Sequence, residues 1–216
     1  MAGRIRTDKD GAIGQLIVDH PERRNALTSE MWRQIPLAID ALARDAEVRV
    51  IVMRGEGTQA FVSGADISQF KEARSGQNAE QYERENLEAF LALARVEKPL
   101  ITAIHGFCIG GGVALSVCSD LRYAADDALF AVPAGRLGLG YPPAGAEALI
   151  RLLGFARAKE LFFTARRVNA QEALSMGLVN QVYPKAELDA RVKEIALGIA
   201  DNAPLTLRAF KRTAIE

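Results

Sequence analysis

Three consecutive glycines, Gly110-Gly111-Gly112, lead into Val113-Ala114-Leu115 and follow the apolar, strand-like run Leu100-Ile101-Thr102-Ala103-Ile104. At a strand-to-helix turn such glycines remove every Cβ from the place where amides point outward. A ligand oxygen can then approach the main chain closely. The chemistry this permits is to hold an oxygen that gains negative charge, as a carbonyl does when it becomes an enolate. Amides fixed in advance stabilise that charge without reorganising, and the start of a helix adds its positive end. Removing one such donor costs about 3 kcal/mol of barrier.

A second segment has the same character. Ala60-Phe61-Val62-Ser63-Gly64-Ala65-Asp66-Ile67 follows a strand-like run at 48–53 across a Gly-containing turn. Gly64 supplies backbone freedom there and Ala65 a donor. A lone glycine pair is more often a plain turn. Two such segments, each behind a strand, point more strongly to paired donors. Among the remaining polar groups, Asp66 and Asp120 read as turn-binding carboxylates and His105 as a hydrogen-bonded interior histidine. Cys108 and Cys118 sit in one apolar run, with neither a disulfide framework nor zinc-ligand spacing, and read as small buried residues.

The elements that must carry these segments are legible in outline. Residues 12–19 and 48–53 are Val- and Ile-rich strands. Between them Thr28 can cap a helix over Ser29–Arg44, with Met31, Ile35, Ile39 and Leu42 at helical spacing and a kink expected at Pro36. Strand, helix and strand recur, which indicates an α/β chain with a layered core. Residues 69–88 turn polar and read as a mobile loop entering a solvated helix, with a lid as the functional alternative. Short strands are expected at 121–124 and 129–132, and helices near 144–153, 156–163 and 170–176, the last closed by Gly177. An amphipathic helix at 186–200 and another from Pro204 complete the chain. The final helix has no stop signal, so the fold is expected to continue beyond it.

Bulk properties narrow the function classes. The chain has 216 residues, 49% of them hydrophobic and 25% charged, enough for one sizeable core. Its 27 basic residues balance 27 acidic ones, so no overall field draws in nucleic acid or an anionic membrane. No cofactor and no metal site is implied. The uncharged run from Leu100 to Cys118 approaches membrane-spanning length, but its glycines and His105 favour a buried strand, turn and helix. A charged N-terminus without an apolar h-region and the two unpaired cysteines fit a cytoplasmic setting.

The pattern Ala60-Phe61-x-x-Gly64-Ala65-Asp66-Ile67, then Ala103-Ile104-His105-Gly106-x-x-x-Gly110-Gly111-Gly112, then Cys118-Ser119-Asp120, resembles the crotonase (enoyl-CoA hydratase/isomerase) superfamily in order and spacing. The resemblance runs from Ile13 to about Ile215. It implies a ClpP/crotonase-like spiral of ββα repeats over residues 1–184, the start of a helical trimerisation region at 185–216, and a homotrimer or homohexamer. It implies an acyl-CoA substrate, with coenzyme A arriving as part of that substrate, and an oxyanion hole from the amides of Ala65 and Gly111. The main chain around Ser63, Gly64, Ala65, Ile67 and Gly110 would contact the substrate. Arg23 and Arg24 would lie near the CoA phosphates, a solvated loop pair being the alternative reading.

The sequence departs from that family where hydratases carry two glutamates. The matching positions are Ala114 and Ala134, and neither can transfer a proton, a loss worth about 10²- to 10⁴-fold for each group. The turn after Gly138 reads Leu139-Gly140-Tyr141-Pro142-Pro143. Tyr141 could donate a hydrogen bond or a proton there, or simply pack. Glu147, the next carboxylate, is expected on the first turn of the following helix, as a proton carrier or as a charge favoured by the helix dipole.

Overall fold

The computed structural model describes residues 2–66 and 77–215. The chain opens on an antiparallel hairpin of β1 (Arg4–Asp10) and β2 (Ile13–Asp19), with Arg4 opposite Asp19. The charged N-terminal segment carries no apolar alternation, the usual mark of a strand. It forms one because charge suits an open sheet edge, and Arg4 and Arg6 both reach Asp19 across the hairpin. Then α1 (Ser29–Arg44) begins as its spacing predicts: Thr28 accepts the Met31 N–H, and Met31, Trp32, Ile35, Ile39 and Leu42 face inward.

Three ββα turns come next, each placing one strand in a large sheet and the next in a small one. The first has β3 (Val50–Gly55), β4 (Ala60–Val62) and α2 (Gln77–Arg95). The second has β5 (Leu100–Ile104), β6 (Phe107–Ile109) and α3 (Gly111–Val117). The third has β7 (Leu121–Ala125), β8 (Leu129–Ala131) and α4 (Pro143–Thr164), broken at Gly154 (φ 74°) into the two helices expected there. Closing the chain are β9 (Val168–Asn169), α5 (Ala170–Ser175), β10 (Gln181–Tyr183), α6 (Leu188–Ala200) and α7 (Pro204–Ile215).

The large sheet runs β1-β2-β3-β5-β7-β10, parallel from β2 onward, and the small one runs β4-β6-β8-β9. Every residue of β5 is buried because both faces of the large sheet are covered. One face meets the main core, with Trp32, Phe61, Phe90 and Phe130; the other meets Leu188, Val192 and Ala196 of α6. The uncharged run 100–118 therefore holds two strands and a helix. The extra strand, β6, has only three residues and is hidden between glycines. Among the described residues no helix is long and apolar enough to cross a membrane.

Residues 69–76, and with them the lid reading, lie outside the described residues. The helix beyond them is not simply solvated, because α2 buries Tyr82, Glu85, Asn86, Phe90 and Leu93. At the other end, α7 is tied to the body by Lys211, which donates to Asp120 and to the Lys98 carbonyl, and by Arg208 and Arg212 at Glu97.

Candidate active site

The two glycine-bearing segments meet because β4 and β6 are parallel neighbours, with Ala60 beside Phe107 and Val62 beside Cys108. Past the strands the contact continues. A Cβ on Gly64 (φ 111°) would lie 3.5 Å from the Ile109 carbonyl oxygen, and one on Gly112 would lie 2.4 Å from that of Val62. The second distance is impossible for any side chain, so only glycine lets the start of α3 touch the end of β4. Gly110 caps α3 in a conformation with φ 54°.

Among the described residues, this arrangement makes no use of two nearby amides. Leu27 N–H donates to Gly64 O and Asp66 N–H donates to Leu27 O, both at 2.8 Å, the pattern of a parallel bridge. In that pattern the intervening residue, Ala65, turns its own N–H away from Leu27. Gly111 is the first residue of α3, so its N–H has no acceptor within the helix. Both residues line one cavity of about 230 Å³. A larger groove of about 500 Å³ between α1, the end of α2 and α7 includes neither segment.

On the side of α1 and α2 the cavity is walled by Trp32, Tyr82, Asn86 and Phe90. The Trp32 and Phe90 rings meet edge to face at 5.4 Å, and a Cβ on Gly111 would come within 3.3 Å of Trp32 Cζ2. None of these four stands out in the sequence. Trp32 belongs to the apolar stripe of α1, and such a stripe does not reveal which members border a void.

The rest of the wall includes Ala114, Ala134, Leu139 and Tyr141. Ala114 lies on α3 and Ala134 on the turn Pro133–Leu137 after β8. The Tyr141 hydroxyl points back at the glycine turn and donates to the Gly110 carbonyl at 3.4 Å, while its ring meets Phe162 edge to face. Burial raises the phenol's pKa, with smaller contributions from Cys118 and Cys108. It therefore stays protonated, a donor rather than a base.

The other expected carboxylates fall elsewhere. Glu147 lies on the second turn of α4 rather than the first, is exposed, and pairs with Arg151 at 2.8 Å. It is absent from the cavity wall. Asp120 accepts the Leu100 N–H and the Lys211 ammonium, and the Asp66 N–H belongs to the Leu27 bridge. The buried His105 is bonded through Nε2 to Asp189 of α6 at 2.9 Å. Local spacing gives no sign of Asp189, since 84 residues separate the two.

Arg23 and Arg24 sit on the exposed loop between β2 and α1. The Arg24 guanidinium lies over the Phe107 ring at 5.1 Å. That loop is bound to the Ala65 segment: Ser63 N–H donates to Arg24 O at 3.1 Å and Ser63 Oγ donates to Arg23 O at 3.2 Å. Ile67 lies outside the described residues.

Comparison with known proteins matches this arrangement to one family. The sequence model described as enoyl-CoA hydratase/isomerase covers residues 8–215. A short-chain-enoyl-CoA hydratase of Clostridium acetobutylicum is 37% identical over 207 residues, which are 95% of this chain and 78% of that protein. The crystal structure of an enoyl-CoA hydratase/carnithine racemase from Magnetospirillum magneticum superposes with a TM-score of 0.95 at 33% identity, over 98% of this chain and 79% of that one. A proposed enoyl-CoA hydratase from Thermobifida fusca YX, solved in complex with acetoacetyl-CoA, superposes with a TM-score of 0.88 at 30% identity, over 98% and 86% of the two chains.

Proposed function

Because the chain belongs to the enoyl-CoA hydratase/isomerase family, we propose that it acts on an acyl-CoA thioester whose carbonyl oxygen is held by the N–H groups of Ala65 and Gly111. The observation that supports this reading is the cavity that both residues line, with the Ala65 N–H turned away from Leu27 and the Gly111 N–H at the open start of α3. Neighbouring strands run about 4.8 Å apart, a spacing from which two N–H groups can reach one oxygen. Both amides strengthen their bonds as the carbonyl becomes an enolate, which is where such donors lower a barrier.

The wall at Ala114, Ala134 and Tyr141 restricts the reaction. Alanine at 114 and 134 leaves the positions matching the hydratase glutamates unable to activate water. In this reading Tyr141, held protonated with its hydroxyl on the Gly110 carbonyl, is the candidate donor of a proton to an enolate and not a base. This favours decarboxylation, which forms the enolate without a base, or isomerisation or thioester hydrolysis with the base supplied from outside these two positions, or an acyl-CoA binder without turnover. Arg23 and Arg24 complete the proposal at the CoA phosphates, beside the Ser63–Ala65 main chain on the substrate. The trimer or trimer pair is part of it too, with Leu205 and Phe210 on α7 as apolar surface, 73% and 76% exposed.

The test is direct. Butyryl-CoA labelled with ¹³C at the carbonyl should show a lowered carbonyl stretch on binding, read by difference infrared spectroscopy. An unshifted band in the saturated complex would remove the two amides from the site. Loss of the enoyl absorbance of crotonyl-CoA at ordinary hydratase rates would show instead that the alanines do not matter.

A further inference from the structure

Asn25 has no place in the chemistry of the cavity, yet it is 1% exposed and adopts a left-handed conformation (φ 56°) directly after Arg24, which does the same (φ 51°). Two successive non-glycine residues in that region are costly and persist only when their surroundings hold them. Here the side-chain amide does so with both ends. Its Oδ1 accepts the His20 N–H at 3.0 Å, and its Nδ2 donates to Glu56 O at 3.0 Å and to Ala60 O at 2.7 Å.

The two Nδ2 bonds join the two ends of a clamp, while the Oδ1 bond closes the loop on itself. On one side is the 20–27 loop, on the other the entry to β4, from which the chain runs on to Ala65. Between them lie three main-chain bonds: Arg24 O to Ser63 N–H, and Leu27 to both Gly64 and Asp66. The polar main-chain groups flanking Ala65 are thus spoken for by residues one or two positions from Asn25, and the Ala65 N–H is the group turned the other way.

We infer that Asn25 is a positioning residue for the Ala65 amide: its buried side chain locks the loop that fixes the direction of that N–H. The inference rests on the reading in which Ala65 holds the thioester carbonyl. Without the Asn25 amide the Ala60 carbonyl is left buried without its donor and nothing cross-links the loop to β4 at that point. The Ala65 peptide then loses its fixed direction, and a pre-set donor acts by its direction.

Asn25→Gly keeps the left-handed backbone and removes all three side-chain bonds. Asn25→Asp keeps the size and the Oδ1 acceptor but sets an oxygen against two carbonyls. Leu161→Ala, on the buried side of α4, serves as a variant that lowers stability without touching the loop. With ¹³C-carbonyl butyryl-CoA, both Asn25 variants should lose at least half of the wild-type carbonyl shift while affinity falls no more than about threefold. Leu161→Ala should retain the full shift despite a lower melting temperature. Should Asn25→Gly not fold, Asn25→Asp decides alone. A full shift in the folded Asn25 variants, or an equal loss in Leu161→Ala, overturns the inference. An unshifted wild-type band overturns the carbonyl reading itself and takes this inference with it.

Discussion

The two walls of the cavity are made of different material. The rim at Ala65 and Gly111 is main chain, held by a parallel bridge, a glycine-capped helix start and a close approach that admits no Cβ at Gly112. The adjoining wall at Ala114, Ala134 and Tyr141 is side chain, and two of those three positions have no reactive atom. A hole built from backbone tolerates side-chain change, because its donors belong to every residue type but proline. A reaction chosen by side chains can be lost in two substitutions while the fold and the binding of the thioester persist. On the proposed reading, thioester binding is carried by the rim and the choice of reaction by the wall.

The largest effect should come from breaking the rim. Gly111 is the first residue of α3, the one helical position where proline is well accepted. Gly111→Pro removes one N–H while the helix can still start, although the new ring must shift Trp32 by a few tenths of an ångström. Whatever acyl-CoA the wild type turns over, kcat should fall by about 10²- to 10³-fold with less change in KM. An unaltered kcat would show that the Gly111 amide takes no part.

The next prediction rebuilds the wall. In Ala114→Glu/Ala134→Glu, hydration of crotonyl-CoA should rise at least about 10²-fold over the parent, since each positioned carboxylate is worth that much. Gly145 leaves room beside 114, since a Cβ there would come within 3.1 Å of the Ala114 Cβ. If the doubly substituted protein folds, binds the thioester and gains nothing, then the reaction is chosen somewhere other than this wall.

The same division explains what can be read without coordinates. Glycine segments are legible because absent side chains have one main use beside a strand: they let another atom approach. Even there, β6 escapes notice, since three residues between glycines carry no period. The wall is harder. Trp32, Tyr82, Asn86 and Phe90 look like ordinary stripe residues on α1 and α2, and only the packing of two helices across a void makes them a wall. Glu147 looks close because sequence distance from Tyr141 is short, yet it sits on the second turn of α4, exposed and paired with Arg151. Long-range partners such as His105 with Asp189, or Asn25 with Ala60, arise from chain topology rather than local spacing.

A smaller effect is expected at Tyr141. Tyr141→Phe keeps the ring against Phe162 and deletes the hydroxyl, so loss of proton delivery by the phenol should cost about 10²-fold in kcat, the low end for such a group, with the thioester carbonyl shift preserved. Because burial raises this phenol's pKa, the wild-type rate should not fall as pH passes through 10, the ordinary tyrosine range. A fall there that Tyr141→Phe abolishes would show the phenol to be less buried than its surroundings imply.

The smallest effect concerns what lies behind the wall. The Cys118 thiol donates to the Ala114 carbonyl at 3.2 Å, and burial pushes both it and Cys108 up to about 12. Since the folded-state pKa exceeds the unfolded one, near 8.5, the unfolded chain loses its thiol protons first. The resulting stability is fully present below about pH 8.5 and declines as pH rises toward 12, by roughly 1 kcal/mol per pH unit for each thiol. Cys118→Ala should reduce that slope by about one proton's worth, measured as unfolding free energy in urea at pH 8, 9 and 10. An unchanged slope would mean that water already reaches the back of the Ala114 wall. A cavity wet on that side would not need its glutamates restored to bring water to the thioester, so this modest measurement bears on how the wall governs the reaction.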